Sequence, residues 1–297
     1  MAADGWYIYY GRDGEIIARH VTRVCIHESV TVIPAHAFYK NLDIEEVECH
    51  DRVKTVEEHA FCGCFSLRRV IMPGVKVVDR RAFYYCKALT DVECGKLEII
   101  RHRAFMRCES LTIINLPSAK IVENSVFCDC TALTTISFGK ELESIEDEAF
   151  GGCTSLQRIT IPLKDGMLTH DIIFIGCDNL KHVDLVEGEQ LHDTIASLQL
   201  EEWRNDMNEE IDSINQILPT TPAGSGWDDD EGEKARVIRG WIRSVLRKVI
   251  HYKAEHQRLL DEEVATTLQL VLPRDIVMNN VRPFLELPSY TFELDEE

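Results

Sequence analysis

Ala60-Phe61-Cys62-Gly63-Cys64-Phe65-Ser66-Leu67-Arg68-Arg69-Val70-Ile71-Met72-Pro73 decides the fold, because the chain writes it again as Ala149-Phe150-Gly151-Gly152-Cys153-Thr154-Ser155-Leu156-Gln157-Arg158-Ile159-Thr160-Ile161-Pro162. The Phe of this phrase stands at Phe38, Phe61, Phe83, Phe105, Phe127, Phe150 and Phe174, in steps of 23, 22, 22, 22, 23 and 24 residues. A fixed period of that size marks a solenoid, whose units stack because none can bury its apolar face alone.

The columns around the Phe show what each copy builds. Five residues before it stand Ile33, Val56, Val78, Ile100, Val122 and Ile145, with Thr169 departing. Three after it come Asn41, then Cys64, Cys86, Cys108, Cys130, Cys153 and Cys177. Six after it stand Ile44, Leu67, Leu89, Leu111, Leu133, Leu156 and Leu180, and nine after it Val47, Val70, Val92, Ile114, Ile136, Ile159 and Val183. The end of this segment alternates apolar and polar residues, as a strand with one buried face does. Pro73, Gly95, Pro117, Gly139 and Pro162 then stop it. Each copy therefore predicts one strand and a returning turn, with strands of neighbouring copies paired in parallel about 4.8 Å apart.

The phrase Ala-Phe-x-x-Cys-x-x-Leu-x-x-Val/Ile, held in register over about half the chain, resembles the BspA-type leucine-rich repeat. The resemblance implies a curved solenoid with a parallel sheet, used for binding proteins or surfaces and not for catalysis. The ends depart from the pattern: Asn41 replaces Cys in the first copy, Val126 replaces Ala in the fifth, and the last has Ile173 for Ala and a longer approach through Lys164-Asp165-Gly166.

Composition agrees. Apolar residues make up 45% of the chain, enough for a core, and the formal charge of −19 speaks against nucleic acid or anionic lipid as the main partner. No stretch of about 20 apolar residues is present to span a membrane, and the start, Met1-Ala2-Ala3-Asp4-Gly5-Trp6, lacks the basic and apolar regions of a leader. The expectation is a soluble, cytoplasmic protein. Six of the eleven cysteines fill one column and report packing. Cys62, Cys64, Cys128 and Cys130 suggest a metal site, but stacking puts the pairs about 14 Å apart, against metal–sulfur bonds of about 2.3 Å. Neighbours such as Cys86 and Cys108 come within disulfide range, which a reducing compartment disfavours. No cofactor or metal is predicted. Nor is catalysis: His182, Asp184 and Ser137 make a triad on paper, yet all three occupy fixed columns of one strand face, and no nucleophile elbow or phosphate loop accompanies them.

A partner is expected at the outward strand positions. The candidates are Arg68, Arg69, Asp91, Glu93, Ile113, Asn115, Thr135, Ser137, Arg158, Thr160 and His182. Against this stands the plainer reading that Arg69 pairs across strands with Glu46 and Asp91. His36, His59 and His102 fall beside the Phe and read as solvated turn residues.

Outside the repeat, residues 1–20 read as a β-hairpin cap, Trp6 to Tyr10 and Glu15 to Ala18 flanking Gly11-Arg12-Asp13-Gly14, with Trp6, Tyr7 and Tyr9 over the first Phe; the solenoid runs 21–186. Leu191, Ile195, Leu198, Met207, Ile211, Ile214 and Leu218 predict an acidic amphipathic helix over 187–218, followed by an acidic linker, 219–233. Ile238, Ile242, Val245, Val249, Tyr252, His256 and Leu259 predict a basic helix over 234–272, and three prolines make 273–297 an extended tail. Residues 187–233 carry fourteen acids against Arg204, hence −13; residues 234–258 carry eight cations against Glu255, hence +7. Opposite charge favours an antiparallel hairpin of the two helices within the chain. A coiled-coil helix offered to another protein, and a basic amphipathic segment around Trp241 for a calmodulin-like partner or a membrane surface, are the alternatives.

The fold class expected is thus an α/β repeat, a leucine-rich-repeat solenoid with a parallel sheet followed by a C-terminal helical hairpin. The function expected is that of a non-catalytic scaffold whose sheet face binds a protein. The alternative is a structural protein that forms a homo-oligomer through the helices.

Overall fold

The computed structural model describes residues 5–12, 14–186, 188–224 and 233–263. Seven windings stack as the period requires, each contributing one Phe to a continuous column. Successive rings from Phe38 to Phe174 lie 4.7, 5.0, 5.1, 5.6, 5.7 and 5.5 Å apart with planes 2–8° from parallel. The rise of the windings imposes this stacked geometry, and all seven rings are excluded from solvent.

Two parallel ladders run along the solenoid, one more than the sequence pattern predicts. The first holds the expected strands: Tyr7–Tyr9, Arg23–Ile26, Glu46–Glu48, Arg69–Ile71 and Asp91–Glu93, then, as a separate sheet, Ile113–Leu116, Thr135–Phe138, Arg158–Ile161 and His182–Leu185. The second is made of two-residue strands, Val32–Ile33, Thr55–Val56, Val77–Val78, Ile99–Ile100, Ile121–Val122 and Ser144–Ile145. Its inward residues are the column five places before the Phe, but two residues are too few for an alternation to be read.

The Phe-bearing arm closes each winding; in the first six it is neither helix nor strand, and in the seventh it is a short 3-10 helix, Asp171–Phe174. The residues two before, at, and two after the Phe donate their N–H groups to the next winding: His59 to Arg80 O at 3.1 Å, Phe61 to Ala82 O at 2.7 Å, Gly63 to Tyr84 O at 2.8 Å. Intervening residues donate backwards within the winding, as Ala60 does to Glu57 O at 3.1 Å. The geometry needs positive φ at the flanking places, and His36, His59, Arg81, Arg103, Ser125 and Glu148 before the Phe, with Lys40, Gly63, Tyr85, Arg107, Asp129 and Gly152 after it, all adopt it.

The cysteine column does more than pack. Each thiol donates to the carbonyl of the preceding winding's Phe, from Cys64 to Phe38 O at 3.0 Å through Cys177 to Phe150 O at 3.1 Å. These are weak donors filling the second lone pair of a buried carbonyl. Burial pushes the Cys64 thiol up to about 12 and those of Cys86 and Cys108 well above their ordinary value, so they stay protonated.

The N-terminal end is a parallel rung and not a hairpin. Tyr7–Tyr9 pairs with Val24–Ile26, and the second hairpin strand is absent because the Glu15 carboxylate folds back to accept from Tyr7 Oη at 2.9 Å, Tyr10 N at 3.1 Å and Arg12 N at 3.1 Å. Tyr9 caps the Phe column as expected, its ring 4.9 Å from that of Phe38.

At the other end three helices cover the last winding: α1 (Gly188–Ala196), α2 (Glu201–Ile217) and α3 (Glu233–Glu263). The single helix predicted for 187–218 is broken after α1, where the Arg204 guanidinium binds the carbonyls of Leu198 and Gln199. The α2 and α3 helices pack antiparallel, with Lys248 Nζ 2.9 Å from both Asp206 and Glu210 and Trp241 Nε1 donating to Glu210 O at 2.9 Å. The apolar stripe Ile238, Ile242, Val245 and Val249 is buried in the common core. Arg239 and Arg243 bind the last winding instead of α2: Arg239 pairs with Asp171, and Arg243 Nε lies 2.9 Å from Asp165, which is 4% exposed. Asn215 closes the end of the sheet, accepting from Val183 N at 2.9 Å. Part of the linker, the predicted helix beyond 263 and the tail 273–297 lie outside the described residues.

Phe105→Ala removes a ring shared by two neighbours and should lower stability by about 3–5 kcal/mol in chemical denaturation. Gly74→Ala should cost about 1–3 kcal/mol, because a Cβ there would sit 1.8 Å from Asp51 O of the preceding winding.

Candidate binding surface

Because side chains alternate along a strand, the residues on either side of the buried Val/Ile column point outward from the first ladder. Register fixes them in two rows. Arg23, Glu46, Arg69 and Asp91 form one row and Cys25, Glu48, Ile71 and Glu93 the other. Beyond the division between Asp91–Glu93 and Ile113–Leu116 the rows resume as Ile113, Thr135, Arg158, His182 and Asn115, Ser137, Thr160, Asp184. The predicted residues therefore fall into two groups. Arg69, Asp91 and Glu93 lie on one sheet, and the seven from Ile113 to His182 on the next. Arg68 stands exposed one place ahead of its strand.

The first group is electrostatically closed. Arg69 lies 3.9 Å from Glu46, 3.1 Å from Asp91 and 2.6 Å from Glu93, and Arg23 lies 3.3 Å from Glu46. At the far end Arg158 holds Asp184 at 2.6 Å, which occupies the carboxylate of the triad drawn on paper. Between these pairs is a neutral stretch of Ile113, Asn115, Thr135, Ser137 and Thr160, in which Ile113 is 61% exposed. Behind it Thr134 Oγ1 donates to Thr112 O at 2.9 Å, fixing the strand that carries Thr135.

A cleft of about 820 Å³ between the last winding and α3 is lined by Asp147, Leu168, His170, Asp171, Arg239 and Arg243. Its charged groups include Arg239 and Asp171, which pair to dock α3, and Arg243, which is held from behind by the buried Asp165. Among the described residues no cluster of His, Cys, Asp and Glu has the spacing of a metal site, and no helix is long and apolar enough to cross a membrane.

Sequence reasoning passed over the outer surface of the Phe arm. There His59 and His102 are half-buried, not solvated, and the His59 ring stacks on that of His36 at 5.1 Å. Burial, then His36, Arg81 and Arg80, lower the pKa of His59 against the opposing pull of Glu58; burial, then Arg103, Arg80 and Arg81, lower that of His102. Reading the two columns just before the Phe across copies is the signal that finds this surface.

The BspA type leucine-rich repeat region matches residues 18–133 and 98–196, in six copies. No curated protein matches the sequence. Among solved structures, a Treponema pallidum leucine-rich repeat protein is 30% identical, with 47% of this chain and 68% of that one covered and a TM-score of 0.44. A leucine-rich cell surface protein of Faecalibacterium prausnitzii is 29% identical, with 53% of this chain and 43% of that one covered and a TM-score of 0.48, so this chain spans less than half of it. A leucine-rich repeat protein of Bacteroides ovatus is 22% identical, with 57% and 62% covered and a TM-score of 0.32.

Because it is exposed on both sides, the Arg158–Asp184 pair contributes little to folding. Arg158→Ala should change stability by less than about 1 kcal/mol, which a denaturation midpoint measures.

Proposed function

Because the chain belongs to the BspA-type leucine-rich repeat family, whose repeats generally build protein-interaction or surface-binding modules, we propose that it is a non-catalytic interaction protein that reads a protein ligand on the outer face of the strands from Ile113–Leu116 to His182–Leu185. The observation that carries this reading is the neutral stretch centred on Ile113, 61% exposed and bordered by ion pairs. An exposed branched aliphatic residue among Thr, Ser and Asn side chains combines apolar contact with hydrogen-bonding groups that cost less to desolvate than charged ones. Interface cores have that composition, being depleted of charge. The rim charges Arg158, Asp184 and Asp91 would set orientation and association rate more than affinity.

Two further features favour a freestanding binding module. The apolar stripe of α3, over the described residues, is used within the chain against α2 and the last winding, which weighs against oligomerisation through that stripe. All eleven cysteines carry free thiols, ten of them buried, a state that a reducing compartment preserves and that supports a cytoplasmic location.

A photo-crosslinking amino acid at position 135, in extract of cells that express the protein, should give a discrete adduct that Ile113→Glu abolishes; the same probe at position 54, just ahead of the second ladder's Thr55–Val56 strand, should give none. Equal labelling from both positions, or an adduct indifferent to Ile113→Glu, would remove the sheet face from consideration.

A further inference from the structure

The spacing of the windings makes every outward column a test of charge. Side chains 22 or so residues apart are neighbours, and opposite signs there stabilise while like signs cost. Along most of the solenoid the rule holds: Arg69 sits among Glu46, Asp91 and Glu93, Glu98 between Lys76 and Lys120, Arg101 between Asp79 and Glu123, and Arg107 beside Asp129.

The columns just before the Phe break it at two windings, those of Phe83 and Phe105. Arg80 and Arg81 of one winding lie against His102 and Arg103 of the next, joined by the bond from Arg81 N to His102 O at 3.1 Å. Among the described residues no carboxylate lies within 4.0 Å of Arg80, Arg81 or Arg103. The Nε–H groups of Arg81 and Arg103 are buried and donate to no partner there, and the Arg81 guanidinium is held 5.7 Å from the Tyr84 ring centre. Burial first, and then the field of the three arginines, opposes protonation of His102.

We propose that this strip, centred on Arg81 and Arg103, docks a short acidic segment of a partner protein. Three guanidiniums on two adjacent windings present forks suited to carboxylates. The strip is short: Glu58 precedes it and Asp147 and Glu148 stand in the same columns two windings beyond Arg103. A long polyanion such as nucleic acid would run over those acids and over a chain of charge −19, whereas a brief run of Glu or Asp would not. The site is on a different face from the Ile113 surface and does not depend on it.

Fluorescein-labelled decaglutamate, titrated with the full chain and followed by anisotropy, should bind saturably and weaken with added salt. Arg81→Glu with Arg103→Glu should weaken it at least tenfold, and Ile113→Glu should leave it unchanged. Glu148 already occupies the same register with φ 49°, so the backbone there accepts Glu; a thermal melt of the double variant checks this, and Arg81→Gln with Arg103→Gln replaces it if the melt is lowered. Absence of saturable binding, binding undiminished in the double variant, or tighter binding of a labelled oligonucleotide or of phosphatidylserine vesicles would each overturn the assignment.

Discussion

The hydrogen bonds that pass from one Phe arm to the next carry the rest of the structure. They fix the arms at a spacing at which aromatic rings touch, and they do so with a backbone that alternates right- and left-handed residues. Left-handed conformation costs a non-glycine residue about 1–2 kcal/mol, and ten such residues accept it on the arms. The offset comes from two sources on the same segment: inter-winding backbone N–H···O bonds, and a Phe ring that is fully removed from water. Removing either would leave the strain uncompensated, which is why ring and arm recur together in the first six windings; in the seventh, where Asp171–Phe174 is a short 3-10 helix, the residue two before the Phe is not left-handed.

The cysteine column follows from the same bonds. The Phe carbonyl already accepts from the N–H three residues on, and space beside its second lone pair admits only a small side chain with a proton to offer. Cysteine fits both demands, being apolar enough for the core and a weak donor. The first winding has Asn41 there because no Phe precedes it, and its Oδ1 turns instead to the backbone of Asp43 and Ile44 at 3.0 and 3.1 Å.

Burial explains what was legible in the sequence. Phe, Leu, Val/Ile and Cys occupy their columns because each faces the same enclosed space in every winding, so the repeat displayed the stacking, the first ladder and the Phe column. The second ladder was hidden by its brevity, and the N-terminal rung by Glu15, whose carboxylate replaces a strand with a turn. Charge balance predicted that α2 and α3 would meet, and Lys248 with Asp206 and Glu210 is how they do. It could not say that Arg239 and Arg243 would turn to Asp171 and Asp165, since net charge has no direction. Yet the departures Lys164-Asp165-Gly166 and Thr169 were visible, and they mark the winding that breaks its regularity to receive α3.

Outward columns answer to a different constraint from inward ones. Nothing in the core selects residue type at positions 80, 81, 102 and 103, so alternation of sign would be the stable default, as it is around Arg69 and Arg101. A run of like charge held at the rise of the windings costs folding energy, and replacing it would relieve that cost. The neutral patch around Ile113 is the milder case, since an exposed aliphatic neither helps nor harms the fold. Along this solenoid the inward columns are fixed by burial, while one outward row carries both the ion pairs around Arg69 and the uncharged Ile113 and Thr135. The places where the outward pattern works against stability are where recognition is to be sought.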